Sequence, residues 1–291
     1  MKKFACLASA VVLVFFATAA PVFAQTSIQT SSQSATASVS AMVSPSPSPT
    51  PDIMPQLRDL YKNQLETYRT DEQAYQIARQ QYYQLQTLVS LEEAVKTTRQ
   101  VMLARTEVLY TYLQMLRTTL QQTQGIEFGL KQNQMNKLTQ LLIDFKQHHV
   151  EVDSAVDRSS IAQAVTDFGA LQKRFQDVSF QTLTLISYGR VQSVYDKTVS
   201  IEGDIKQHVE QNETDALRLS EKQRAFAQIE STFSDTDVLL KKVLTNLEAN
   251  LNPQKGQQYY TGGLNVNDSL SSAYGGISRS LSFLQEVLNN I

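Results

Sequence analysis

"LYKNQLETYRTDEQAYQIARQQYYQ", residues 60–84, carries tyrosines at 61, 68, 75 and 82, one every seven residues. That recurrence keeps Tyr61, Tyr68, Tyr75 and Tyr82 on a single face of an α-helix. The residues three further on are Gln64, Asp71, Ala78 and Leu85, so the stripe is half polar at its start and apolar only near 75–89. Tyrosine suits such a stripe, because the ring buries apolar area while the hydroxyl reaches water at the rim. The row reads either as a partly exposed packing seam or as an aromatic ladder that grips a partner helix or glycan. Since Gln64 and Asp71 are poor core residues, the first half of this helix is expected to be under-covered by its own chain. The four tyrosines are therefore the candidate interaction surface.

Outward from this stretch the helical reading extends over the whole body. No proline occurs between Pro55 and Pro253, and a run of that length without proline points to helices, because proline removes a donor and clashes one turn back. Apolar residues recur at three- and four-residue steps in three rows: Met135, Leu138, Leu142, Phe145, His149, Val152; Phe226, Ile229, Phe233, Leu240, Val243, Leu247; and Leu270, Tyr274, Ile277, Leu281, Leu284, Leu288, Ile291. Helices that pack on other helices carry such stripes, and strand alternation is nowhere sustained. Ser90-x-x-Glu93 and Ser160-x-x-Gln163 read as capping boxes, Gly125 as the end of the second helix, and Asn267 or Asp268 as the cap of the last. These signals predict an all-α fold, an elongated antiparallel bundle of about six helices built from coiled-coil hairpins. The predicted helices cover 56–88, 91–123, 130–155, 161–211, 215–250 and 269–290, with a reversal near Ser90 and a long loop over 251–268.

The start of the chain has a different character. "MKKFACLASAVVLVFFATAAPVFAQ" combines Lys2 and Lys3, an apolar stretch and small residues at 22–24, the pattern of an export signal cleaved after Ala24. Left uncleaved, the same segment is long enough to anchor the chain in a bilayer. Residues 25–52 are almost entirely Ser, Thr, Gln, Ala, Val and Pro, a composition that cannot bury enough apolar area to order itself. It reads as a spacer, or as a glycosylated stalk. The body is thus expected outside the cytoplasm, secreted or associated with the cell envelope.

Few chemistries remain open to such a chain. Cys6, the one cysteine, leaves with the signal, which excludes disulfides and thiolate sites from the mature protein. Removing Lys2 and Lys3 takes the formal charge from −2 to −4, with no basic footprint for nucleic acid. Asp144, His148 and Glu151 share one helical face at i, i+4 and i+7, yet lack the further ligands a metal centre needs. His149 is placed on the apolar row, and His208 is solitary. Asp153/Asp157 and Asp235/Asp237 lack a calcium loop's spacing and read as caps and surface charges. Gly262-Gly263 is assigned to the loop and Gly275-Gly276 to a close helix approach or kink. Nucleophile, phosphate-loop and nucleotide motifs are missing. The expectation is a protein with no catalytic residues, metal or cofactor.

The stretch "TLVSLEEAVKTTRQVMLARTEVLYTYLQMLR" (87–117), behind a signal and a Ser-Pro linker, resembles uncharacterised secreted helical-bundle proteins of candidate-phylum bacteria. The resemblance covers about a tenth of the chain and implies no function. From the residues themselves, the expected role is a non-enzymatic extracytoplasmic scaffold or protein-interaction module on a flexible stalk, binding a protein partner or itself through helix 1. A membrane-active helical protein is the alternative, and its most apolar windows are "VLYTYLQMLRTTL" and "VSFQTLTLISYG".

Overall fold

A computed structural model describes residues 53–251 and 259–289 of the 291-residue chain, with side chains over 53–248 and 266–289. The expected leader, its cleavage point and the 25–52 linker lie outside the described residues. Among the described residues there are six α-helices and no strand: α1 (Met54–Leu85), α2 (Leu88–Gln122), α3 (Phe128–Ser154), α4 (Arg158–Asn212), α5 (Ala216–Leu251) and α6 (Tyr259–Asn289). The fold is an all-α helical bundle.

Cross-helix contacts fix its antiparallel sense, because partner numbers fall on one helix as they rise on the next. Gln64 meets Thr111 and Tyr68 meets Arg105 between α1 and α2. Arg99 meets Asp153 and Glu107 meets His149 between α2 and α3. Gln134 meets Thr182 and Asp144 meets Arg174 between α3 and α4. Helix α4 runs for 55 residues, about 80 Å at 1.5 Å per residue. Its first half packs with α2 and α3, where Phe168 and Leu171 join Leu113, Leu138 and Phe145 in the larger core. Its second half packs with α5 and α6, where Val209 joins Phe226, Ile229, Phe233 and Leu284.

The caps correct the sequence reading by three residues. The N-cap of α2 is Thr87, not Ser90. Ser90 stands at the third helical position, its backbone N–H donating to Thr87 Oγ1 at 3.2 Å while its own Oγ accepts from the Thr87 N–H at 3.1 Å. Asp157 and Ser160 repeat the device at α4, with Ser160 N–H to Asp157 Oδ1 at 2.7 Å. A serine can thus supply the return acceptor that Glu or Gln usually provides. The reversal near Ser90 is real and short, carried by Gln86 in a left-handed conformation (φ 51°). Asp215 caps α5 by accepting from Leu217 N–H at 2.9 Å.

The end of the chain also departs from expectation. Helix α6 begins at Tyr259, not 269, so Gly262-Gly263, Asn267 and Asp268 are helical; residues 252–258 of the expected loop lie outside the described residues. Gly262-Gly263 is therefore not in a loop; a helix tolerates glycine at a modest cost.

Glycines serve close approach at two places. Gly125, at φ +76°, turns the chain between α2 and α3 directly against Gly189 of α4, and a Cβ at either position would collide with the other segment. A Cβ at Gly276 would strike Thr236 Oγ1, where α6 meets α5. Gly276→Ala is therefore expected to destabilise by about 1–3 kcal/mol through overpacking. Gly203→Ala, in open space on α4, should stabilise by about 0.5–1 kcal/mol. Urea melts of the two variants check the pair, and equal shifts would refute the close approach at 276.

Candidate interaction surface

Helix α2 explains what the tyrosine row is for. Its buried residues form two stripes on opposite sides. Met102, Leu109, Leu113, Leu116 and Leu120 belong to the main core with α3 and α4. Thr97, Val101, Ala104, Val108 and Thr111 are equally buried but lie on the stripe that Thr111 shares, one turn after another at four- and three-residue steps. Thr111 Oγ1 donates to Gln64 Oε1 at 2.6 Å, so this second stripe is the face toward α1. Its residues are small. Gln64 of α1 meets this row at Thr111, while Tyr61 and Tyr68 meet α2 at its edge, on Tyr112 and Arg105.

All four tyrosines, at 61, 68, 75 and 82, are half-buried. Tyr61 begins an aromatic chain that crosses the bundle: its ring lies 6.3 Å from Tyr112, Tyr112 lies 5.8 Å from Phe175, and Phe175 meets the fully buried Phe145 edge-on at 5.8 Å. Burial pushes the hydroxyls of Tyr61 and Tyr112 above their ordinary pKa. Tyr68 is clamped differently. The Arg105 guanidinium sits 5.6 Å from the centre of its ring and 5.3 Å from that of Phe168, a cation shared by two aromatic faces. Arg105 also pairs with Glu72 at 3.6 Å, and Tyr68 Oη donates to Glu72 at 3.3 Å. Two of the four companion residues are accommodated, Gln64 by its bond to Thr111 and Ala78 by burial, while Leu85 is exposed.

Yet α1 remains thinly covered. Of its 32 residues only Met54 and Ala78 are buried, and α2 is its principal neighbour. Leu60, Ile77, Tyr83 and Leu85 are exposed along it. At the apex the uncharged run 80–91 leaves Tyr83, Leu85, Leu88 and Val89 in solvent. Beside the row, a cleft of about 230 Å³ is lined by Gln64, Thr106, Glu107, Tyr110, Phe145, Lys146 and His149.

The paired histidines exchange the places expected for them. His148 is buried against the Phe168 ring, 5.5 Å away, while His149 lies at the rim, 3.5 Å from Glu107. The buried stripe of α3 is Gln134, Leu138, Leu141, Phe145, His148 and Val152, with Leu142 beside it. Leu142 is buried as expected, but Gln134 and His148 take the buried places expected of Met135 and His149, because the Leu141-Leu142 doublet satisfies either phase. Asp144, His148 and Glu151 do line one cleft, with Asp167 and Arg174, but His148 is buried at its base and not solvated. Asp144 pairs with Arg174 at 2.6 Å and Glu151 accepts from Gln147 at 3.0 Å. Among the described residues no group of three or more His, Cys, Asp or Glu is placed to hold a metal.

Both of the most apolar windows contribute residues to the core, although Phe180 and Leu183 of the second are exposed. Residues 108–120 occupy the two-faced part of α2, and 178–189 bury Thr182, Leu185, Ile186 and Tyr188 in mid-α4. No helix among the described residues is long and apolar enough to cross a membrane. Compared with known proteins, the chain matches no family model, no curated protein and no solved structure.

Burial lowers the pKa of His148, outweighing Glu151 and Asp167, which raise it; His149 lowers it further. A histidine held neutral in the folded state supports stability fully above its unfolded pKa near 6.5, and that support is lost as pH falls from there toward the lower folded value. The melting temperature of the wild type should therefore drop more steeply between about pH 7 and pH 5 than that of His148→Gln. Parallel curves would mean that His148 is solvated after all.

Proposed function

We propose that the protein is a non-enzymatic, extracytoplasmic helical scaffold or interaction module, with helix α1 as the surface that meets a protein partner or a second copy. The observation that carries this reading is the thin cover of α1: a 32-residue helix with two buried residues and four half-buried tyrosines, supported chiefly by α2. A helix that stable packing leaves half open is a ready docking face for another helix. The export-like leader and the spacer composition of 25–52 support a location outside the cytoplasm, with the body held away from its point of attachment. The heptad rows of α1 and α2 support the coiled-coil description of this hairpin. Several charged residues pair across the helices, as in Arg99–Asp153, Arg174–Asp144 and Lys222–Glu213, and so serve the bundle's packing.

A second reading, contact with a membrane, is favoured by the uncharged apex with its exposed Tyr83, Leu85, Leu88 and Val89. Tyrosines beside aliphatic residues suit the membrane–water boundary.

One experiment separates the two. The double variant Tyr61→Ser, Tyr68→Ser should keep its helicity by circular dichroism and lose about 1–3 kcal/mol of stability, since each ring is only half-buried. Its self-association in sedimentation, or its capture of an envelope protein, should weaken at least tenfold. Undiminished association would overturn the α1 reading. Leakage of dye from liposomes on adding the wild type, abolished by Leu88→Ser with Val89→Ser, would establish the membrane reading instead.

A further inference from the structure

Two places in the chain read Asn-x-Ser/Thr with no proline between: Asn212-Glu213-Thr214 and Asn267-Asp268-Ser269. In an exported protein this triplet is the acceptor signal for a sugar chain on the asparagine, and it serves where it lies on a surface loop. The fold treats the two triplets in opposite ways. Asn267 lies within α6. Residues two apart on a helix point about 200° away from each other, and Ser269 is buried. That backbone does not present the asparagine and the hydroxyl together.

Asn212 is the last residue of α4, and the chain leaves the helix there. Glu213 is extended, at φ −81° and ψ 118°, and 213–215 form the turn into α5. The neighbours of an extended residue face one way and its own side chain the other. Glu213 turns inward: its carboxylate lies 2.7 Å from Lys222 Nζ and accepts from Asp215 N–H at 3.3 Å, with 16% of the side chain exposed. Asn212 and Thr214 are left in solvent on either side of it. Asn212 Nδ2 donates to the His208 carbonyl at 2.8 Å. A carboxamide nitrogen carries two hydrogens, so this bond survives replacement of the other. Glu210, also exposed, stands two residues before Asn212, where one class of oligosaccharyltransferase requires an acid.

We propose that Asn212 carries an N-linked oligosaccharide, transferred from a lipid diphosphate donor. In that transfer the carboxamide nitrogen of Asn212 bonds to C1 of the first sugar and gives up one proton to a base of the transferase. The C1–O bond to the lipid diphosphate breaks, and its electron pair leaves with the diphosphate. The transfer presupposes the export reading above, because it takes place on the outer face of the membrane. Asn212 lies 23 residues beyond Gly189, about 35 Å further along α4 than the α2–α3 turn that packs there. A bulky, water-binding group at this end covers the α4–α5 turn and the neighbouring Leu217, which is 71% exposed. It leaves α1 open.

Peptide mapping by mass spectrometry of the full chain, purified from the organism that makes it, is the test. Trypsin releases Asn212 in peptide 207–218 and Asn267 in peptide 256–279. The mass of an oligosaccharide is expected on 207–218 and not on 256–279. Asn212→Gln and Thr214→Ala should each abolish it, while Thr214→Ser and Asn267→Gln should keep it. Residues 25–52 contain no asparagine, so sugar on the spacer would be linked through hydroxyls and found in another peptide. Sugar there or on 256–279, with 207–218 bare, would overturn the proposal. The N terminus of the purified chain separates the causes of a negative result. A chain cut after Ala24 but bare at Asn212 overturns this site alone. A bare chain that keeps residues 1–24 and stays in the cytosolic fraction overturns the export reading along with it.

Discussion

Helix α1 is tied to the body through α2, and the rest of the structure is arranged around that constraint. A helix with one filled stripe can close a bundle, but a helix with two can hold a further helix on its outer side. Leu109, Leu113 and Leu116 give α2 a place in the α3–α4 core, and Thr97, Ala104 and Thr111 give α1 a place on α2. The link is physical, because the chain Tyr61–Tyr112–Phe175–Phe145 runs from the edge of α1 to the centre without a break. Ring pairs of this kind add about 0.5–1.5 kcal/mol each beyond their burial. The tyrosines are thus both the fastening of α1 and the part of it that remains open.

The core itself is unusually rich in hydroxyls, and the helical backbone accounts for that. Thr106, Thr182, Thr184, Thr198 and Thr236 are buried, and each donates its hydroxyl to the carbonyl four residues earlier at 2.7–2.9 Å. A threonine satisfied in this way presents mainly its methyl group to the neighbouring helix, so it packs like a small aliphatic residue. Where a longer polar side chain enters, it sets register. Gln134 donates to Thr182 Oγ1 at 2.9 Å and to the Val178 carbonyl at 3.1 Å, an arrangement that a one-turn slip of α3 on α4 would break. Specific polar contacts of this sort distinguish one packing from its near alternatives.

The parts of this fold that were legible in the sequence are those where one phase of the helix was plainly better than the other. Phe226, Ile229, Phe233, Leu240, Val243 and Leu247 form an unambiguous row, and all are buried. The α3 stripe was ambiguous because Leu141-Leu142 and His148-His149 offer both phases, and only the neighbours, Phe168 for one histidine and Glu107 for the other, decide between them. The caps were found but placed one turn late, since a serine serves at either end of a capping box. The two stripes of α2 were hidden in "VMLARTEVLYTYLQMLRTTL", where the α1-facing stripe is written in Thr, Ala and Val, residues that do not register as an apolar row. On α6 the pattern was complete, but it could not say which of its two rows the chain itself would cover. The tyrosine row was visible from the start, though its partner stripe was not.

Hydrogen exchange followed by mass spectrometry tests the central claim most directly, because opening free energy rises with burial and with the number of packed neighbours. If α1 is fastened to the bundle chiefly through α2, amides of 54–85 should exchange well before those of 128–154 and 160–190, while the core stripe of α2 stays protected with α3 and α4. A single opening in which 54–85 and 128–154 exchange together at the same rate would contradict it. In that event α1 would be an integral member of the core, and its tyrosines would not be an available surface.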